Sequence, residues 1–457
     1  MFRLHAHRSA IHLHIHGHGH GHSHSVGVGG LGLGCSCPSK HHPAPWPWRP
    51  LHTAQPLGVH PLSADPLPPA SAPIVPTPGD DLATAAPIDL HSASPRARAL
   101  AGLLASFKAP IRFAFAYGSA VFPQKGYSSA ANPADRPMVD LIFGVTHPTH
   151  WHSINLAQHP HHYSSLRLLG SSAVANVQDM GAGVYYNPYV ELDGVVVKYG
   201  VVSIARLASD LANWDSLYLA GRMHKPIQVL RHDSRISIAQ WSNLTSAVKL
   251  ALLLITANRP AGMTHVTPKE LYTTLAGLSY RGDFRMAFKY LENPHKVHNL
   301  VATQMPYFDH VYRALIDQEF GHQLTWEPAD PVGESAGASG GAADAHGRWI
   351  VDASERSRTQ WLLELPRQFA DWTRFEYARA ANKPAPTATR LTHDEAAAVA
   401  MEMATSPYLE KCLNGALYRT IAWPALTQSV KGIATAGASR TVKYAGAKLS
   451  KGIKAAK

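Results

Sequence analysis

Two short stretches of this chain carry residue types suited to holding a nucleoside triphosphate. Phe113–Tyr117 is apolar and aromatic and runs straight into Gly118 and Ser119; residues 138–145 form a second apolar run holding a single acid, Asp140. A glycine at a strand end permits a tight turn, and the turn's N–H groups, with the Ser119 hydroxyl, can meet phosphate oxygens. A carboxylate is a hard oxygen ligand, and Mg²⁺ is commonly held by one or two carboxylates together with substrate phosphates. The order of these residues predicts nucleotidyl transfer. Gly118 and Ser119 would bind phosphate, Asp140 would hold Mg²⁺, and Ser119 and Asp140 would form the catalytic pair.

Both runs have the length and composition of buried strands. Alternation along the second places Val139, Leu141, Phe143 and Val145 on one face and Asp140 on the other. Ahead of them, residues 95–107 read as a helix with Ser94 as its cap and Pro95 at its first position. A polar loop, 125–137, separates the two strands. Residues 150–158 and 163–169 read as helices, followed by a flexible Ser/Ala segment. Two β-rich runs around Asp193-Gly194 then predict a hairpin, and 207–219 returns to a helical pattern. In the second half, 244–256 and 268–278 read as helices, the latter with Thr267 as cap and Pro268 at its first position. Helical patterns resume from Arg358.

Several cations and acids fall where such a site would need them. Lys198 ends the second hairpin strand, and Arg222, His224 and Lys225 follow a helix; each can neutralise phosphate charge. Glu191 and Asp193 are the candidates for a further metal ligand, although Asp193 in Asp-Gly reads better as a turn residue. Asp283 and Arg285 sit together on a turn, either to reach a substrate phosphate or as a structural ion pair. His152, Asn155 and His162 lie in a His-rich patch, and either shape a nucleotide pocket or satisfy buried hydrogen bonds.

Of 457 residues, 45% are hydrophobic, enough for two or three ordinary domains. No run of about 18 uncharged apolar residues occurs, so no membrane-spanning segment is expected. The net charge of +11 is concentrated at the ends. Residues 1–64 hold four Lys/Arg and no acid, and residues 411–457 hold nine and no acid, leaving 29 basic against 31 acidic residues between them. A body that binds a polynucleotide would carry its own basic face, so no nucleic acid partner is expected. Three cysteines, Cys35, Cys37 and Cys412, leave no disulfide framework and suit a reducing compartment.

Residues 1–92 are rich in His, Gly and Pro, with no helical or strand period, and read as a disordered targeting leader. Their His tract lacks the framed geometry that metal ligation needs. Residues 329–347 are a Gly/Ala-rich low-complexity loop. At the other end, a helix begun at Arg440 would gather Arg440, Lys443, Lys448, Lys451 and Lys454 on one side and Val442, Leu449 and Ile453 on the other. Such a helix suits an anionic membrane surface.

The wording YGSAVFPQ, MVDLIFGV, THPTHWHSINLAQHPHHYS, VYYNPYVELDGVVVKYGVV, LYLAGRMHKP, LSYRGDFRM and SVKGIATAGASRTVKYAGAKLSKG, in that order, closely resembles the mitochondrial translocator-assembly-and-maintenance family. The resemblance runs from about Arg96 to the C-terminus. It implies an α/β nucleotidyltransferase-like domain with a mixed sheet (93–240), then a mainly helical, winged-helix-like domain (241–328 and 348–457). It also implies phosphatidate cytidylyltransferase activity: CTP and phosphatidic acid give CDP-diacylglycerol and pyrophosphate, with Mg²⁺, at the matrix side of the mitochondrial inner membrane. The family wording includes Trp151-His152 and His162-Tyr163 with no zinc implied. Nucleotidyltransferases of this fold usually carry a second Asp two residues after the first; here Ile142 stands there, leaving Asp140 one carboxylate short of a two-metal site. The alternatives are nucleotidyl transfer to another acceptor, or a non-catalytic membrane-associated scaffold for protein import.

Overall fold

The computed structural model describes residues 95–122, 137–287, 296–329, 347–384 and 391–437. The leader, most of the loops 125–137 and 329–347, and the basic segment holding Arg440, Lys443, Lys448, Lys451 and Lys454 lie outside the described residues, as does Ser94.

Five strands, β1 (Phe113–Tyr117), β2 (Val139–Val145), β3 (Tyr185–Leu192), β4 (Val195–Ser203) and β5 (Gln228–Arg231), form one mixed sheet in the order β3-β4-β2-β1-β5. β2 lies parallel to β4; the other neighbours are antiparallel. Both faces are covered, which is why the strands read as continuous apolar runs. On one face Ala114, Ala116, Leu141, Phe143, Val197 and Tyr199 pack with Leu100 of α1 (Pro95–Gly102) and Trp151 of α2 (Pro148–Gln158). On the other, Phe113, Phe115, Tyr117, Ile142 and Val202 belong to a core that continues through the C-terminal helices as far as Ala425.

The Asp193-Gly194 hairpin forms as expected, with positive φ at both turn residues (48° and 75°). The segment expected to be a flexible Ser/Ala stretch is instead α3 (Gly170–Asp179), which buries Val174, Ala175 and Gln178. The helix expected over 207–219 is α4 (Ile204–Asn213), stopped by Trp214 in the left-handed region with φ 56°. A four-residue helix, α5 (Ala220–Met223), follows it.

The second half is built on α6 (Ser234–Thr256), capped by Asp233 and ten residues longer at its start than the sequence pattern indicates. Residue 240, the expected domain boundary, therefore lies inside this helix. By length and composition α6 is apolar enough to cross a membrane, but 72% of its apolar window is buried, as befits a core helix. In α7 (Pro268–Gly277), Thr267 accepts from the Glu270 N–H and Pro268 opens the helix, as read from the sequence. Three short strands, β6 (Met263–Val266), β7 (Leu324–Glu327) and β8 (Arg348–Asp352), form an antiparallel sheet in the order β6-β8-β7 that sequence patterning did not indicate. The remaining helices are α8 (Lys296–Phe320), α9 (Glu355–Leu363), α10 (Arg367–Ala380), α11 (His393–Ala404) and α12 (Leu409–Ala436). α12 returns to the first sheet, where Gln428 Nε2 donates to the Val184 carbonyl at 3.2 Å.

Candidate active site

Strand register sets the heart of the site. Tyr117 on β1 lies opposite Asp140 on β2, and Asp140 lies beside Lys198 on β4, so three side chains stand in one row across three strands. Lys198 Nζ donates to Asp140 Oδ1 at 3.1 Å, with both side chains partly open to solvent. Immediately after β1, Gly118 turns with φ +86°, and its carbonyl accepts from the Val121 and Phe122 N–H groups. A Cβ at position 118 would stand 3.1 Å from Asp140 Oδ2. Glycine is therefore required twice, by the backbone angle and by the carboxylate beside it. The Ser119 hydroxyl has no hydrogen-bond partner among the described residues.

A floor of tyrosines and a wall of cations complete the arrangement. Lys198 Nζ lies 4.5 Å from the centre of the Tyr186 ring, and the Arg222 guanidinium lies 4.6 Å from that of Tyr117. Lys225 and Lys296 approach the Tyr280 ring at 4.9 and 5.3 Å. Lys225 is buried and, among the described residues, donates only to neutral acceptors: the Gly221 and Ala276 carbonyls and the Ser279 hydroxyl. Burial first, then the charges of Arg222 and Lys296, hold its ammonium well below the usual lysine range. Burial opposes the Arg222 charge, but Tyr117, Tyr280, Tyr186 and Asp140 outweigh it and push that group up. Burial, followed by the Asp140 charge, also pushes the Tyr117 hydroxyl up, so it remains protonated. The cluster is thus rich in cations and, among the described residues, provided with a single carboxylate.

Arg222 is held in place by groups that sequence reasoning missed. Asp210, buried at the end of α4, accepts from the N–H groups of Ser216, Leu217, Leu219 and Ala220 and from the Ser216 hydroxyl. Asn243 of α6 ties the same turn down: its Oδ1 accepts from Trp214 Nε1 and meets His224 Nε2, and its Nδ2 donates to the Ala220 carbonyl. An acid shortly before a short helix carries no recognisable motif, so only the folded turn reveals this clamp. Tyr117, next to Gly118, was within reach of a register argument; Tyr186, Tyr280 and Lys296 were not.

Other residues singled out from the sequence lie elsewhere. His152 is on the opposite face of the sheet. Its Nε2 donates to Gln178 Oε1 at 2.9 Å, and its Nδ1 accepts from the Tyr163 hydroxyl at 2.9 Å. Burial pushes this imidazole down to about 4, only partly offset by the Gln178 bond. Asn155 donates to the Tyr163 and Tyr199 hydroxyls, and His162 Nδ1 meets Tyr199 at 2.9 Å. Of the two readings for these residues, the geometry gives buried hydrogen bonding. His159, His161 and His162 bring ring nitrogens within 4.8 Å of one another. However, the first and last stack face to face at 4.4 Å, so their lone pairs run alongside each other and do not converge.

Glu191 is exposed near the hairpin turn, opposite Val196 and one strand beyond Lys198, with no contact to Asp140. Asp193 is the turn residue and accepts from the Ser106 hydroxyl. Asp283 and Arg285 form a two-pronged ion pair through Arg285 Nε at 2.9 and 3.1 Å, and Asp283 also accepts the Arg285 N–H. Ile142, at the position where such sites usually carry a second acid, is fully buried in the core.

Residues 100–451 match the family model described as phosphatidate cytidylyltransferase, mitochondrial. Proteins of that name from Xenopus laevis and Schizosaccharomyces pombe are 36% and 35% identical to this chain, each over 76% of it and over 93% and 81% of their own lengths. The protein of that name from Saccharomyces cerevisiae is 43% identical over 47% of this chain and 54% of its own length.

Proposed function

This chain belongs to the mitochondrial phosphatidate cytidylyltransferase family, and from that premise we propose that it makes CDP-diacylglycerol from CTP and phosphatidic acid at the Tyr117–Asp140–Lys198 row. The observation that carries the assignment of the site is charge. Lys198 is paired with Asp140, Arg222 lies within the field of the same carboxylate, and the buried Lys225 next to Arg222 has no acidic partner among the described residues. A protein tolerates such an imbalance where a polyanion completes it.

In this reading the Gly118 turn and Ser119 hold the CTP phosphates, with Lys198 and Arg222 neutralising them. A phosphatidate oxygen attacks the α-phosphorus; the bond from that phosphorus to the bridging oxygen breaks, and pyrophosphate departs with the electron pair. The nucleophile is already an anion, so no protein base is needed, and positioning with charge neutralisation supplies the acceleration. Asp140 suits Mg²⁺, because one carboxylate whose Oδ2 faces the phosphate turn, plus nucleotide oxygens, is a typical donor set for that ion. Bound there, Mg²⁺ would offset charge on the phosphates.

The protein acts in the mitochondrion, at the matrix side of the inner membrane and without spanning it. Residues 1–92 serve as the targeting leader, and Arg440, Lys443, Lys448, Lys451 and Lys454 supply attraction to anionic lipid. The product would feed phosphatidylglycerol and cardiolipin synthesis. Incubating the purified protein with labelled CTP, Mg²⁺ and phosphatidate should give labelled CDP-diacylglycerol and pyrophosphate in equal amounts. Label transferred to RNA or an aminoglycoside in place of phosphatidate would reassign the acceptor. No product from well-folded protein would leave the import-scaffold reading.

A further inference from the structure

α12 is amphipathic the wrong way round for a helix in water. Beyond residue 420 its inward side carries Gln428, Lys431 and Thr435 beside Ile421, Ala425 and Ala436, all buried. Gln428 donates to the Val184 carbonyl, and Lys431 Nζ donates to the Gln178 and Met180 carbonyls at 3.0 and 2.7 Å. The exposed positions between 420 and 436 are Trp423, Leu426, Val430, Ile433 and Ala434, every one apolar. Trp423 is 70% exposed, Val430 61% and Ile433 58%. Spacings of three, four and three residues put them on one stripe. By contrast, four of the six exposed positions of α8 are polar: His298, His310, Asp317 and Gln318.

Further exposed apolar side chains flank this stripe. The Ser164 hydroxyl donates to the Ala434 carbonyl at 3.0 Å, and four residues on, Leu168 and Leu169 are 79% and 69% exposed. Met180, 56% exposed, follows α3 where Lys431 is bonded. Exposed apolar side chains grouped in this way mark an interaction site.

We propose that the outer face of α12, flanked by Leu168, Leu169 and Met180, is a membrane-docking surface that seats the folded enzyme on an anionic phospholipid bilayer. The proposal rests on the reading above that the substrate is a lipid, and it adds an apolar contact on the folded body to the basic one read in the tail. Charge selects the occupant. Residues 438–457, which follow α12 in the chain, carry six Lys/Arg and no acid, and Arg167 is exposed beside Leu168. Two copies facing each other through α12 would bring two such positive segments together, whereas anionic lipid is complementary to them. A tryptophan with an exposed apolar face suits the headgroup boundary.

The test is flotation of the full-length protein with phosphatidylcholine vesicles containing phosphatidylglycerol, without CTP or Mg²⁺, at low and high salt. The double variant Val430→Glu/Ile433→Glu should bind on the order of tenfold to a hundredfold less at both salts. Trp423→Ser should lose less. The control Ile238→Glu, at an exposed isoleucine of α6, should bind normally. Removing 440–457 should abolish mainly the salt-sensitive part. Equal binding by the double variant and wild type would overturn the proposal. So would a wild-type dimer, seen by light scattering, that the double variant converts to monomer without loss of vesicle binding. The double variant should keep its rate on water-soluble short-chain phosphatidate while losing it on vesicles. If wild type makes no product from either, the functional reading fails while the flotation result still stands.

Discussion

The two faces of the central sheet both bury polar side chains, and they do so in opposite ways. On the face toward α1 and α2, His152, Asn155, His162, Tyr163 and Tyr199 are hydrogen-bonded to one another, with no lysine, arginine or carboxylate among them. On the other, Lys198 and Arg222 share one acid, Asp140, and with Lys225 they stand over tyrosine rings. The first network has no ion pair within it, and two of its buried atoms, Asn155 Oδ1 and Gln178 Nε2, have no partner among the described residues; the second has more cations than acids. Both are buried and polar, so burial alone separates nothing. The balance of charge separates a structural network from a binding site.

The contrast would break first at Asp140. Asp140→Asn should cost on the order of a thousandfold in kcat/KM with an unfolding midpoint near that of wild type, because the carboxylate is partly solvated and its loss leaves no cavity. A folded variant with near-normal turnover would remove the metal role.

His152→Leu should do the reverse, lowering stability by roughly 2–4 kcal/mol while the folded fraction keeps its rate. The wild-type imidazole adds a pH signature. Its folded value, about 4, lies below the unfolded one, so the unfolded chain takes up the proton first. Its stabilising contribution is whole above about 6.5 and is lost as pH falls toward 4, to a total of roughly 3 kcal/mol. Denaturant titrations of wild type and variant between pH 7 and 4 should converge. Parallel curves would mean His152 does not titrate as placed.

Lys225 sharpens the comparison from the charged side. An arriving triphosphate stabilises the protonated ammonium, so CTP binding should take up protons from solution, and Lys225→Met should remove that uptake. Calorimetry in two buffers of different ionisation enthalpy reads this directly. The same variant should bind CTP roughly tenfold more weakly yet unfold no more easily than wild type. Equal uptake in both proteins would move the titrating group elsewhere.

The smallest effect belongs to Ser119. Its replacement by alanine should cost about 1–2 kcal/mol of phosphate binding, read as a severalfold loss of rate. A sharp fall in stability with an unchanged rate would make the hydroxyl a turn support.

Much of this division is visible in the sequence. Gly118 and Asp140 sit at strand ends that apolar runs delimit, and the Asp193-Gly194 turn fixes the hairpin register; Lys198, expected at the end of the second hairpin strand, lies inside β4. The row they make is less legible. It depends on β2 and β4 becoming parallel neighbours across some fifty intervening residues, a tertiary choice that no local pattern encodes. Trp214 stops α4 in a conformation disfavoured for a large side chain, and it holds because Asp210 and Asn243 fasten the turn around it. The four-residue strands β6 and β7 are too short for alternation to register. α12 misleads in another way, because apolar residues at helical spacing ordinarily mean an inward face.

The placement of α12 bears on how fast a lipid can be served. Gly282, in the turn just after Tyr280, lies so close to α12 that a Cβ there would stand 2.8 Å from Ile421 Cβ and 3.0 Å from the Leu417 carbonyl oxygen. From Ile421 to Val430 is nine residues, or ~14 Å of helix. An enzyme seated through that stripe would hold the Tyr280 wall of its site within a few helical turns of the lipid headgroups. Drawing a diacyl lipid wholly into water costs ~0.8 kcal/mol for each methylene exposed, which over two long chains would make desorption far slower than ordinary turnover. A site held this close to the interface lets the phosphate come in while the chains stay where they are, so turnover need not wait for a lipid to leave the bilayer.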